Sequence, residues 1–389
     1  MNSSTSLEGL PSGFRAAATR CGIRRSKSRL DLALLCAEEA FPLAAVYTRS
    51  HLLGAHIPVC REKLAVSGGR ARAILVNSGN ANCSTGEQGL EDNRRIAAAA
   101  AELIGCGAEE VLFLSTGVIG ERLPVDNVME ALPTLCGAGA QQGLDAFAQA
   151  ILTTDLVPKV SRRSAGKSQV LGVAKGSGMI HPDMATMFGF LLTDAELGDD
   201  PLGRLRAVNQ RSFQRLTVDG DTSPNDTVVL WGSGRTSSSG LDEALTSSAR
   251  SLSRKIAVDG EGATRLVTVE VRGASDEQAA SQAARVVATS PLVKTAVHGR
   301  DPNWGRILAA AARAGVQIDV DRARVWIGDA NLYSEGQPHP DVEPEAHLHL
   351  LQHKEVRLGV DLGVGSGEAE AWTCDFSADY VRINADYRS

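Results

Sequence analysis

The chain has 389 residues, 43% of them hydrophobic and 22% charged, with a formal net charge of −6. This is an ordinary globular composition, long for one core, so two domains or lobes are expected. No basic field points to nucleic acid, no apolar run approaches the roughly 20 residues of a membrane span, and residues 2–12 lack the apolar core of a secretory signal.

Seven cysteines, at 21, 36, 60, 83, 106, 136 and 374, are odd in number and form no C-x-x-C pair. They imply no disulfide framework, and a reducing cytoplasm is expected. Residues 1–12 read as a mobile tail. Arg24, Arg25, Lys27 and Arg29 read as a solvated basic turn. Residues 30–35 and 44–48 read as two strands, with Pro42 in the connection. A strand at 72–76 runs into Asn77-Ser78-Gly79-Asn80-Ala81-Asn82, which suits either a tight turn or the wall of a polar pocket. An alanine-rich helix is expected at 90–104.

The strand at 111–114 opens into Ser115-Thr116-Gly117. Free backbone N–H groups and a hydroxyl at a strand end are the equipment of an oxyanion hole, although the same triplet is common turn chemistry. Helices are expected at 125–135 and 143–152, the second ending in Thr153-Thr154-Asp155. Gly166-Lys167-Ser168 ends like a phosphate-binding loop, but Ser161 stands where its first glycine belongs, so a surface turn is expected.

The stretch from Lys175 to Ala195 is the most informative. Gly176 and Gly178 make a turn, Pro182 keeps His181 out of a helix, and 187–192 is an apolar run of strand length. At the junction sits Ala185-Thr186. If the turn bends that peptide bond into reach, the Thr186 hydroxyl could attack the Ala185 carbonyl and form an ester. Hydrolysis would leave Thr186 as a new chain terminus. Its amine, with a free pKa of about 7.7–8.0, would then serve as base for its own hydroxyl.

A helix at 202–216 precedes the polar loop 217–227, whose three aspartates, Asp219, Asp221 and Asp226, lack calcium-loop spacing. It reads as a loop bonding its own backbone. A strand at 228–231, a Gly/Ser loop at 232–240 and a helix at 241–256 lead to Asp259-Gly260-Glu261-Gly262, a carboxylate between glycines before a strand at 265–271. A helix at 276–290 precedes His298-Gly299-Arg300-Asp301-Pro302-Asn303-Trp304-Gly305-Arg306, where Asn303 suits the cap of a helix at 304–312. His298 and Asp301 would pass as a base and its orienter, but packing and pocket wall is the preferred reading. His347, His349 and His353 have no supporting cysteine or carboxylate, so a surface segment is expected there and no metal site.

The Lys175–Met187 segment resembles the processing site of the ornithine acetyltransferase family, the bifunctional glutamate N-acetyltransferases of arginine biosynthesis. That family is cut between Ala and Thr in a segment of the type Lys-Gly-x-Gly-Met-x-x-Pro-x-Met-Ala-Thr-Met, and every fixed position is present. The His-Gly-x-Asp-Pro-Asn-Trp-Gly-Arg block and the C-terminal tail extend the likeness over nearly the whole chain.

The resemblance implies a layered α-β-β-α sandwich of mixed sheets with a second, smaller α/β lobe. It further implies autoproteolysis into residues 1–185 and 186–389, which would associate as α2β2. Thr186 would be the nucleophile, and Thr116 and Gly117 would hold the oxyanion. Thr153, Lys175, Glu261, Asn384 and Ser389 would bind substrate, with Thr154 as the fallback for Thr153. Leu156 departs from the family, which often has Thr there. The reaction would carry acetyl from N2-acetyl-L-ornithine to L-glutamate without a cofactor. Use of acetyl-CoA as a second donor stays open. A self-processing amidopeptidase of related fold and a non-catalytic binding protein are the alternatives.

Overall fold

The computed structural model describes residues 9–24, 26, 28–181, 187–237 and 240–386. Nine strands build the larger body: β1 (Phe14–Thr19), β2 (Leu32–Tyr47), β3 (Arg70–Asn80), β4 (Val111–Val118), β5 (Gln141–Gln142), β6 (Lys159–Ala165), β7 (Ser168–Lys175), β8 (Phe188–Ala195) and β9 (Thr227–Thr236). They run in the order β4-β3-β2-β9-β8-β7-β6, with β1 joining β2 to β5. The first half of β2 pairs with β1 and β3, the register slips between Cys36 and Phe41, and residues 43–47 pair with β9. One long strand thus passes from one sheet into a second that faces it.

Alternation along the strands builds the layers, because successive side chains point to opposite faces. Leu35, Ile74, Leu112, Phe190 and Val229 meet in the core between the sheets. Their neighbours point outward. Leu34, Leu75 and Phe113 pack under helices Gly86–Ile104 and Val125–Cys136 through Ile96, Ala97, Val128 and Leu132. Leu191, Val228 and Leu230 pack under helices Pro201–Gln210 and Leu241–Val258 through Leu205, Leu245 and Leu252. The result is a four-layer α-β-β-α sandwich. Both faces of each sheet are covered, which explains strands that read as unbroken apolar runs. Each fully buried Leu or Phe contributes about 1.5–3 kcal/mol.

The smaller lobe has a mixed sheet of β10 (Leu266–Ala274), β11 (Arg324–Ile327), β12 (Ala330–Ser334), β13 (Gln337–Pro338), β14 (Glu355–Asp361) and β15 (Gly367–Cys374), ordered β13-β12-β11-β14-β10-β15. Helices Glu277–Thr289, Trp304–Ala312 and Glu343–Gln352 cover it, with Ala284, Ile307 and Leu350 against Val269, Val325 and Leu358. Asn303 caps its helix as expected, its Oδ1 accepting from the Arg306 N–H at 3.2 Å. A final helix, Ala378–Asp386, buries none of its residues.

The two strands expected at 30–35 and 44–48 are one strand. Pro42 follows the slip and pairs with Arg70, the first residue of β3, so its missing N–H falls at the end of that ladder. The helix expected at 202–216 stops at Gln210. Ser212 turns its hydroxyl back onto the Val208 carbonyl at 2.6 Å, and a short 3-10 turn, Phe213–Arg215, follows. Strands β6 and β7 form a hairpin around Gly166-Lys167, the surface turn read from the sequence.

Candidate active site

A pocket opens where the ends of β4 and β7 and the start of β8 meet the loop 217–227, the turn 259–262 and the C-terminal helix. On one wall β3 and β4 run parallel with Gly79 beside Gly117. Gly117 has φ +135°, and a Cβ there would lie 2.3 Å from the Gly79 carbonyl carbon. Only glycine permits this approach, which turns the strand end and sets Thr116 and Gly117 on the pocket.

Lys175, at the end of β7, is 8% exposed and donates from Nζ to the Thr116 Oγ1 at 3.0 Å. An ammonium has no lone pair, so the Thr116 oxygen is the acceptor and its own O–H remains to donate into the pocket. Burial lowers the Lys175 pKa, and Lys159 and Arg24 act in the same sense, while Asp155 and Asp226 oppose them.

Behind Lys175 lies a buried ion triad. Lys159, 1% exposed, bridges Asp155 at 2.6 Å and Asp259. Asp155 also accepts from the Gly176 N–H at 2.6 Å and the Thr153 N–H at 3.1 Å. Burial pushes the Asp155 carboxyl up, but Lys159, Lys175 and these hydrogen bonds outweigh it and hold it at about 2. Asp259 caps the turn after helix Leu241–Val258. Its carbonyl accepts from Ser177 Oγ at 2.6 Å, and Ser177 O accepts from the Glu261 N–H at 3.1 Å. The Gly176-Ser177-Gly178 turn is thereby strapped to Glu261. A Cβ on Gly178 would lie 2.4 Å from the Glu261 carboxylate.

Glu261 Oε2 accepts from Asn384 Nδ2 of the C-terminal helix at 2.8 Å. Gly262 lets that helix approach, since a Cβ there would meet the Tyr380 nitrogen at 2.4 Å. Arg24, expected in a solvated turn, instead donates to the carbonyls of Leu152 and Thr153 and holds the Thr153-Thr154 corner.

The loop 217–227 does more than bond its own backbone. Asp219 accepts from the Met179 and Ile180 N–H groups at 2.6 and 2.9 Å, fixing the far side of the glycine turn. Asn225 donates to the carbonyls of Ala81 and Ser115 at 2.5 and 2.7 Å, joining the loop to the ends of β3 and β4. Asp226 lines the pocket at 3% exposure, and its Oδ2 has no hydrogen-bond partner. Burial pushes its carboxyl well above the usual range, against hydrogen bonding to Ser223 and the charge of Lys175. Sequence reasoning missed Asp226, Asp155 and Lys159.

Thr116, Gly117, Thr153, Thr154, Lys175, Glu261 and Asn384 line one pocket. Ala185, Thr186 and Ser389 lie outside the described residues, but Met187, which is bonded to Thr186, lines the same pocket. His298 does not pair with Asp301. Its Nδ1 meets Asp375 Oδ2 at 2.7 Å, and Asp375 accepts from the N–H groups of Thr264 and Arg265. It ties the lobe together rather than walling the pocket. His349 stacks on His353 at 4.4 Å, and His347 Nδ1 faces the Arg300 carbonyl. Among the described residues no group of three or more His, Cys, Asp or Glu is placed to hold a metal, and no helix is long and apolar enough to cross a membrane.

A four-layer sandwich with a second α/β lobe, and a pocket built from threonine, lysine and glutamate where strand ends converge, define a small-molecule enzyme of mixed α/β class. The chain belongs to the ArgJ family, whose model matches residues 15–389. It is 47% identical over 388 residues to the arginine biosynthesis bifunctional protein ArgJ of Parasynechococcus marenigrum, covering 97% of this chain and 94% of that one. It is 47% identical over 383 residues to the protein of the same name from Thermus thermophilus, covering 97% and 98%. The crystal structure of arginine biosynthesis bifunctional protein ArgJ from Bacillus halodurans aligns with a TM-score of 0.50 at 39% identity, over 52% of this chain and all of that one.

Proposed function

We propose that this chain is an acetyltransferase of arginine biosynthesis, moving acetyl from N2-acetyl-L-ornithine to L-glutamate through an acetyl ester on Thr186. The observation that carries this reading is the convergence of Thr116, Gly117, Lys175, Glu261 and Asn384 on the pocket that Met187 also lines. Met187, the residue that follows Thr186 in the chain, is the described residue of that segment that lines the pocket.

Cleavage between Ala185 and Thr186 would expose the Thr186 amine as base for its own hydroxyl. Thr116 O–H and the Gly117 N–H would hold the oxyanion. Two preorganised donors of this kind act most strongly where charge develops in the transition state. Lys175 and Thr153 suit the carboxylate of an amino acid, and Glu261 with Asn384 suits its ammonium. Ser389 would complete the substrate contacts. The pieces 1–185 and 186–389 would stay together as two chains, associating as α2β2 in the cytoplasm. No cofactor enters the scheme, and acetyl-CoA would be a second donor if this chain is bifunctional as the names of its relatives say they are.

A denaturing mass spectrum beside a Thr186→Ala variant tests this. The expected result is two fragments with a new N-terminus at Thr186, absent in the variant, and a 42-Da acetyl adduct on that threonine after N-acetyl-ornithine, about the mass of one acetyl group. A single intact chain in both samples would remove the terminal amine from the mechanism.

A further inference from the structure

A second cavity, of about 590 Å³, lies along the end of β2, between helices His56–Val66 and Pro201–Gln210. Pockets that take small ligands run to roughly 300–1,000 Å³. Arg49, Arg61 and Arg206 all line it, and among the described residues no Asp or Glu does. The chain as a whole carries a formal net charge of −6, so this is a local concentration of positive charge against the general field. A cleft lined by one sign of charge focuses its field on a ligand of the opposite sign.

The charge is what pairing around the cavity leaves over. Glu62, next to Arg61 in the chain, is spent on Arg94 at 2.8 Å, and Asp242 is taken by Arg204 at 2.6 Å. Among the described residues neither Arg61 nor Arg206 has an ion-pair partner. Arg61 instead holds its guanidinium 5.3 Å from the centroid of the Tyr47 ring. Tyr47 is 8% exposed, lines the cavity, and its hydroxyl has no hydrogen-bond partner. A buried O–H in that state is short of an acceptor. Leu53 and Leu202 add apolar wall. Forked guanidinium donors match phosphate oxygens in pairs. The tyrosine hydroxyl supplies a further donor, and the leucines suit the face of a planar ring. A lone carboxylate would leave most of the positive charge uncompensated. The combination suits a phosphorylated nucleotide, which carries several negative charges beside a flat, partly apolar base.

We propose that this cavity binds the phosphate groups of a nucleotide. It is separate from the active-site pocket but shares a wall with it. The Thr48 N–H donates to the Asp226 carbonyl at 3.0 Å, and the Gly54 N–H donates to the Pro224 carbonyl at 2.9 Å. Pro224 and Asp226 line the active-site pocket, whereas Thr48 and Leu53 line this one. The loop 48–54 is the partition between them. The same phosphate chemistry has two sources. One is a free nucleotide, acting on the pocket through that partition. The other is acetyl-CoA, whose phosphates lie at the opposite end of a long flexible arm from its acetyl group. Only the second source rests on the acetyl-transfer reading.

Equilibrium dialysis of the full chain against 3′-phosphoadenosine 5′-phosphate, which carries phosphates of coenzyme A without the arm, tests the site. The wild type is expected to bind it, and more weakly as salt is raised. A chain with both Arg61→Gln and Arg206→Gln is expected to lose about 30-fold or more in affinity, and Tyr47→Phe about 3-fold, since charge-assisted bonds are worth more than neutral ones. A melting temperature within about 2 °C of wild type shows that each variant is folded. Should the double variant unfold, Arg206→Gln alone is expected to lose about 5-fold. No binding by the wild type, or equal affinity in wild type and arginine variants, overturns the proposal. Steady-state acetylation of glutamate then separates the sources. With acetyl-CoA as the occupant, the arginine variants raise its KM about 10-fold with kcat within about 2-fold, and transfer from N-acetyl-ornithine is unchanged. A wild type that binds the nucleotide and takes acetyl from N-acetyl-ornithine but not from acetyl-CoA makes the occupant a free nucleotide. A wild type that takes acetyl from neither donor overturns the transfer reading and leaves the binding result standing.

Discussion

Lys175 spends its ammonium on a hydroxyl. By donating to Thr116 Oγ1 it leaves that hydroxyl's own hydrogen free to be donated on the pocket wall. Thr116→Val keeps the shape and removes the donor, so kcat is expected to fall about 10²-fold with KM little changed, measured by steady-state kinetics. Asp226 sets a second residue-scale expectation, in stability. Its folded carboxyl titrates above its unfolded value of 3.8, so folding takes up a proton between the two values. Stability is then lost as pH rises through that window. Asp226→Asn removes the penalty. In thermal melts the variant is expected to outlast the wild type by ~2 °C or more at pH 7.5, and the two curves converge near the unfolded value as pH falls. Thr116 and Gly117 were marked in the sequence by the family resemblance, since a strand running into Ser-Thr-Gly is by itself common turn chemistry, and the fold sets both on the pocket. Asp226 was not. Its loop reads as ordinary Asx chemistry, and only the fold shows that one of its carboxyls is left unpaired on the pocket.

The elements around the pocket are tied by a few buried links. Lys159 joins Asp155, four residues away, to Asp259, a hundred residues away. Lys159→Met strands two buried carboxylates, and a loss of about 3–5 kcal/mol is expected in urea melts. That separation explains why sequence spacing gave no hint of the triad. The C-terminal helix is held differently. It has no buried residue of its own and docks through Gly262 and the Asn384–Glu261 bond. Asn384→Ala is expected to raise KM about 10-fold while kcat holds within about 2-fold, since it removes a neutral–charged hydrogen bond worth about 1.5 kcal/mol. Helices with strong apolar faces, such as Leu241–Val258, were legible within a turn or two. The hairpin β6–β7 was not, because β6 carries Lys, Ser and Arg side chains that mask the alternation of a strand.

At the scale of the whole molecule, alternating strand and helix signals announced an α/β protein, but not which strands are neighbours. That depended on β2 passing from one sheet to the other, a feature with no local signature beyond Pro42. The order β2-β9-β8-β7 places two strands that follow Thr186 between two that precede it. If the bond at Ala185 is cut, the product is expected to run as one species on native size exclusion and to separate into two only under denaturant.

The same interleaving has a mechanical consequence. Drawing the two pieces apart along the strands would load the β2–β9 and β7–β8 ladders in shear, so that many hydrogen bonds must fail together rather than one after another. A single scission would therefore leave two pieces that part only when whole ladders give way at once, a clasp whose fastener is the sheet itself.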